Sequence, residues 1–122
     1  MKNLSKSYED YIETIYRLEK ERGKVASVDI AKELNVSKPA VHKATDELTS
    51  LGYIVKAPYG RINLTEEGRK IAEEIYDKHL SIKSFLIELG VDEKTAEHDC
   101  CLIEHVVSDT TLSKIKEFLK NK

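Results

Sequence analysis

The amino-acid sequence predicts a mainly α-helical fold carrying one small β-hairpin, on three observations. Apolar residues recur at three- and four-residue intervals through most of the chain, the repeat of a helix with one buried face. Serine, aspartate, threonine, proline and glycine fall where those stretches start and stop. Only one segment, YIVKAPYGRINL, joins β-favouring residues to a central turn signal.

Ser7 to Arg22 reads as the first helix, with Tyr8, Tyr11, Ile12, Ile15, Tyr16 and Leu18 as its apolar stripe and Gly23 as its stop. Ser27 is placed to cap a short second helix, VDIAKEL, that turns Ile30, Ala31 and Leu34 inward. Asn35 and Val36 make a tight connection. Ser37 caps a third helix from Lys38 to Ser50, with Pro39 in the first turn, where a missing N–H costs little. Tyr53 to Val55 and Arg61 to Leu64 favour two strands around a Pro58-Tyr59-Gly60 turn. Thr65 opens a long helix reaching about Leu89, Asp92 caps one from Glu93 to about Val107, and Ser108 or Asp109 caps the last.

Composition narrows the function classes. The longest apolar runs are a few residues, too short to span a bilayer, and MKNLSKSYEDY has no apolar core of a secretory signal, so a cytoplasmic location is expected. Cys100 and Cys101 are adjacent, a spacing that disfavours a mutual disulfide and points to a packing or metal role. The net charge of −2 is unevenly spread. Lys24 to Leu64 holds six basic and four acidic residues, whereas Thr65 to Lys122 holds nine and thirteen. A basic middle beside an acidic C-terminal part suits a nucleic-acid reader joined to a cation binder.

Helix, short helix, tight turn, helix and hairpin is the order of a winged helix-turn-helix. Ile30, Ala31, Leu34, Val36, Val41, Leu48 and Leu51 recur at core spacing within IAKELNVSKPAVHKATDELTSLGYI. The third helix would enter a DNA major groove by its N-terminal residues, Ser37, Lys38, Pro39, Ala40, His42 and Lys43. Lys56, Tyr59 and Arg61 on the wing would reach phosphate or the minor groove. The expected division is a DNA-binding domain over 1–64 and a helical dimerisation and metal-binding domain over 65–122. Basic residues on such a fold are also compatible with a solvated protein-contact module.

A second pattern concerns metal donors. Asp10 and Glu13 share a face of the first helix, and HDCCLIEHVVS sets Cys101, Glu104 and His105 at i, i+3 and i+4. His79 lies on the helix between. Thiolate, imidazole and carboxylate together suit a divalent first-row metal. Taken singly, Asp10 and Glu13 read as solvated helix charges, His79 as a surface histidine and Cys101 as a small buried hydrophobe. The C-x-x-E-H cluster resists that reading. Cys100 points further round and reads as core packing, while Glu97 and His98 are near but unassigned.

The segments SYEDYIETIYRLEKERGKV, IAKELNVSKPAVHKATDELTSLGYI, PYGRINLTEEGRKIA and CLIEHVVSD resemble, in order and over essentially the whole chain, the diphtheria toxin repressor family of iron- and manganese-dependent regulators. The resemblance implies a repressor with a divalent-metal corepressor, one or two ions per subunit, a homodimer and a near-palindromic DNA operator. It implies the short layout without an SH3-like domain, and Asp10, Glu13, His79, Cys101, Glu104 and His105 as ligands. Asp10 matches the manganese type and Cys101 the iron type, and Lys83 stands where iron-type members place an ancillary-site glutamate. The thiolate tilts the choice slightly toward Fe(II) over Mn(II). Leu102, Ile103, Val106 and Val107, with the final helices, are candidates for the dimer contact or the monomer core. The alternative is a winged-helix regulator answering to an organic ligand or to thiol oxidation. No substrate cleft or unshared general base is visible, so no enzymatic activity and no organic substrate are expected.

Overall fold

The computed structural model describes residues 4–122 and divides into two compact units, one ending at Glu73 and one starting at Glu74. No helix among the described residues is long and apolar enough to cross a membrane.

The first unit contains α1 (Lys6–Arg22), α2 (Ser27–Leu34), α3 (Lys38–Ser50), β1 (Ile54–Lys56), β2 (Ile62–Leu64) and the start of α4 (Glu66–Glu88). Ser5 caps α1 by accepting from the backbone N–H of Tyr8, and Gly23 ends it in the left-handed region at φ 78°. The stripe of Ile12, Ile15 and Leu18 is fully buried, as are Ile30 of α2, Val41 and Leu48 of α3, and Ile54 and Ile62 of the hairpin. Strand pairing is antiparallel, with Ile54 opposite Leu64 and Lys56 opposite Ile62. Ile62 and Leu64 point inward, and Asn63 between them points outward, the two-residue alternation of a strand covered on one face. Glu19 ties the unit together: its carboxylate accepts from the backbone N–H of Leu64 at 3.1 Å and pairs with Arg69 at 3.1 Å.

Two local expectations need correction here. Ser27 is the first helical residue of α2, not its cap. Ala26 takes the cap position, and Asp29, third in the helix, reaches back to accept from the Ala26 N–H at 3.0 Å, the half of a capping box that an alanine cap still allows. Val36 and Leu51 are exposed, although their spacing suggested core. Both lie where the chain leaves a helix, and there the helical repeat no longer dictates direction.

The second unit holds the remainder of α4, α5 (Glu93–Ile103) and α6 (Asp109–Lys120). Its core is Ile82, Cys100, Leu112 and Ile115, with Phe85, Leu86 and Leu119 packed around them. Phe85 meets Phe118 edge to face, ring centroids 5.4 Å apart. Asp92 and Ser108 cap α5 and α6. The sequence extended α5 to about Val107; it ends at Ile103 instead. The His105 N–H turns to Leu102 O and the Val106 N–H to Ile103 O, tighter three-residue closures. Ser108 must be extended, at ψ 161°, to cap α6, so the chain has to leave the helical path beforehand. Glu104 is therefore the C-cap, still helical in its dihedrals and bonded to the Cys100 carbonyl, and His105 lies in the turn that follows.

Candidate metal centre and nucleic-acid face

In the first unit, α3 is pinned by its buried side, Val41, Ala44, Thr45 and Leu48, which leaves its other side in water. Lys38, Pro39, Ala40, His42 and Lys43 all lie on that exposed side, and Ser37 caps the helix by accepting from the Ala40 N–H at 3.2 Å. The wing candidates are exposed too. Lys56 pairs with Asp46 of α3, which holds the Asp46 carboxyl below its ordinary range through the lysine hydrogen bond and charge. Tyr59 is 98% exposed and adopts φ 66°, a left-handed conformation uncommon for a bulky residue, at the tip of the hairpin. Arg61 stands next to the strand on the bridge to Ala26. Asp10 and Glu13 occupy one partly exposed face of α1, with Asp10 paired to Lys6 at 2.8 Å.

The second unit gathers the other donors around His79, which is buried and not the surface histidine its position alone suggests. Nδ1 of His79 lies 2.9 Å from Oε1 of Glu104, and Nε2 lies 3.3 Å from Oε1 of Glu97. Tyr76, one turn earlier on α4, has its ring parallel to the imidazole within 4°. Sγ of Cys100 is 3.7 Å from Nε2, and Sγ of Cys101 is 4.0 Å from Nδ1 and 3.7 Å from Oε2 of Glu97. Glu104 is only 1% exposed. Its Oε2 has no hydrogen bond among the described residues, although Nε2 of His105 is 3.3 Å away. A carboxylate held out of water with one oxygen so placed is under-compensated negative charge, which a cation offsets. Imidazole, carboxylates and thiols in this arrangement fit a divalent first-row metal.

Electrostatics around the cluster are asymmetric. Lys83 donates to Glu97 at 3.0 Å and lies 3.3 Å from Glu93. That ammonium holds the Glu97 carboxyl below its ordinary range, and Glu97 in turn holds Lys83 above its own. Burial, reinforced by the charges of Glu97 and Glu104, pushes the Cys100 thiol up to about 11. Glu97 and Cys100 were not among the sequence candidates. The signal was available as E-x-x-C-C, because Glu97, Cys100 and Cys101 stand at i, i+3 and i+4 on one helical face. His98 is exposed and points instead to Asp99 at 3.2 Å.

Residues 3–62 match the family described as iron dependent repressor, N-terminal DNA binding domain. Residues 65–122 match the iron dependent repressor, metal binding and dimerisation domain. An uncharacterised HTH-type transcriptional regulator of Methanocaldococcus jannaschii is 44% identical over 119 residues, which cover 96% of this chain and 95% of that protein. The transcriptional regulator MntR of Escherichia coli O6:H1 is 38% identical over 110 residues, covering 90% of this chain and 71% of MntR. Among solved structures, the manganese regulator SloR is similar at a TM-score of 0.81 and 29% identity. That likeness covers 94% of this chain, which spans about half, 54%, of the SloR chain.

Proposed function

The chain belongs to the iron dependent repressor family, a family of metal-responsive DNA-binding regulators, and from that premise we propose that it represses transcription with a divalent metal as corepressor. The observation that carries the reading is the convergence on buried His79 of the Glu104 carboxylate and the thiol of Cys101, within the segment matched to metal binding and dimerisation.

The proposed ligands are Asp10, Glu13, His79, Cys101, Glu104 and His105, binding one or two ions per subunit. When bound, the cation supplies positive charge that lets a buried carboxylate, an imidazole and a thiolate stay together away from water. Glu104 and His79 already meet without the cation, so these two ligands need little reorganisation. Each committed ligand leaves the DNA-reading elements fewer arrangements, and the retained one fits successive major grooves of a near-palindromic operator. This is a population shift, and it demands tighter metal binding in the DNA-competent arrangement than in the others. Lys38, Pro39, Ala40, His42 and Lys43 read the groove, while Lys56, Tyr59 and Arg61 brace the wing on the backbone. Leu102 and Val106, 51% and 80% exposed, belong to the proposed homodimer contact. The thiolate favours Fe(II) slightly, with Mn(II) close behind. The working compartment proposed is the cytoplasm.

Operator binding measured by fluorescence anisotropy tests this directly, with chelator, anaerobic Fe(II), Mn(II) or Zn(II) added in turn. Fe(II) and Mn(II) should raise the affinity and chelator should abolish the rise. Unchanged affinity under chelator would end the corepressor reading.

A further inference from the structure

Cys100 packs in the core of the second unit with Ile82, Leu112 and Ile115, as its position on the helix predicts. Its sulfur, however, does not face only hydrocarbon. Sγ lies 3.5 Å from Nδ1 and 3.7 Å from Nε2 of His79, and 3.3 Å from the carbonyl oxygen of Glu97. One donor atom from each of His79, Glu97, Cys100 and Cys101 lies within 4.8 Å of the others. All four belong to the second unit. We propose that these residues form a soft-metal site of two sulfurs, one nitrogen and one oxygen, with the chemistry to bind Zn(II) or Cd(II), distinct from the corepressor ligand set.

Three features support the assignment. The first is spacing. A tetrahedral ion with bonds of about 2.0–2.3 Å sets its ligand atoms about 3.3–3.8 Å apart. With Nε2 of His79, an oxygen of Glu97 and Sγ of Cys100 as donors, two edges are 3.3 Å and 3.7 Å, Sγ of Cys101 lies 3.7 Å from the other Glu97 oxygen, and one donor atom from each of the four residues lies within 4.8 Å of the rest. Closing the four donors around an ion takes side-chain shifts of at most about 1 Å. The second is orientation. With Nε2 as the ligand, Nδ1–H remains free to donate to Glu104 at 2.9 Å, the carboxylate–histidine arrangement that fixes tautomer and ring direction at zinc sites. The third is charge. Two thiolates and a carboxylate exceed a divalent cation by one negative charge, and Lys83 already stands 3.0 Å from Glu97 to balance it.

The two donor sets share His79 and Cys101, so filling one excludes the other. Two thiolates select a softer ion than one thiolate among carboxylates does. The soft set also omits Asp10 and Glu13. The chain therefore has a place to put Zn(II) or Cd(II) that does not use the acids of α1.

X-ray absorption at the zinc edge, on the full chain with one equivalent of Zn(II), counts sulfur neighbours at about 2.3 Å. Two sulfurs are expected; one or none overturns the site. Cys100→Ser should lower the count to one, and a count unaffected by that change also overturns it. The Asp10→Ala/Glu13→Ala double variant should retain two. If Cys100→Ser does not fold, the wild-type count still decides. Neither DNA nor Fe(II) enters the measurement, so loss of metal-activated operator binding alongside two sulfurs would sink the corepressor reading alone.

Discussion

His79 and Glu104 are 25 positions apart, yet Nδ1 of the imidazole lies 2.9 Å from Oε1 of the carboxylate, and both side chains are buried. The pair joins α4 to the turn that ends α5. It places an acidic group where water cannot solvate it, a placement that alone costs stability. A positive charge in the same space would offset that cost.

Glu104→Gln keeps the shape and removes the charge. Metal affinity measured by calorimetry should fall by more than the roughly 10-fold that loss of an outer partner of a ligand already costs. The metal-free protein should melt no earlier than wild type, because a buried charge has gone. The rise in melting temperature on adding Mn(II) should shrink accordingly. A variant that binds metal as wild type does would show that Glu104 is merely a structural partner of His79.

Lys43 lies on the exposed side of α3, in the first unit, and is not one of the candidate metal donors. If it contacts phosphate, Lys43→Ala should weaken operator binding and reduce the salt slope by about 0.9. Metal affinity should not change. An unaltered slope with weaker binding would assign Lys43 to a base edge instead.

Gly68 is the glycine whose missing side chain matters most. A Cβ there would stand 2.0 Å from the carbonyl oxygen of Tyr53 and 2.9 Å from its carbon. That oxygen is held in place by the Thr65 N–H at 3.0 Å. Alanine would ordinarily favour a helix over glycine by about 1 kcal/mol. The clash, at about 1–3 kcal/mol for overpacking and against backbone here, should win. Gly68→Ala should therefore lower the thermal midpoint, and a higher one would contradict the close approach.

Asp92 caps α5, and the backbone N–H of Thr95 holds its carboxyl below the ordinary value of 3.8. The folded value is thus the lower one. Its contribution to stability is present above the unfolded value and is lost as pH falls through the folded value. Asp92→Asn keeps a capping oxygen but cannot titrate. Denaturation profiles between about pH 5 and pH 2 should fall less steeply for the variant. Identical slopes would remove Asp92 as a source of acid sensitivity.

The local features of the fold were legible in the chain because their causes are local. Ser37 with Pro39 sets the start of α3, Gly23 ends α1, and YIVKAPYGRINL contains its own turn. The end of α5 was misread for an instructive reason. Nothing in HDCCLIEHVVS signals a stop, and the break is imposed by the need of Ser108 to be extended as the next cap.

The sequence by itself determined the helices, the hairpin, the exposed basic face of α3 and the chemical types of the candidate metal donors, since periodicity and capping act over a few residues. Only the tertiary structure decided that His79 is buried, that Glu104 meets it, and that Glu97 and Cys100 join Cys101 beside it. Those contacts depend on the packing of α4 against α5 around Ile82 and Cys100. Burial and long-range approach are properties of that packing, and no spacing within a single helix encodes them.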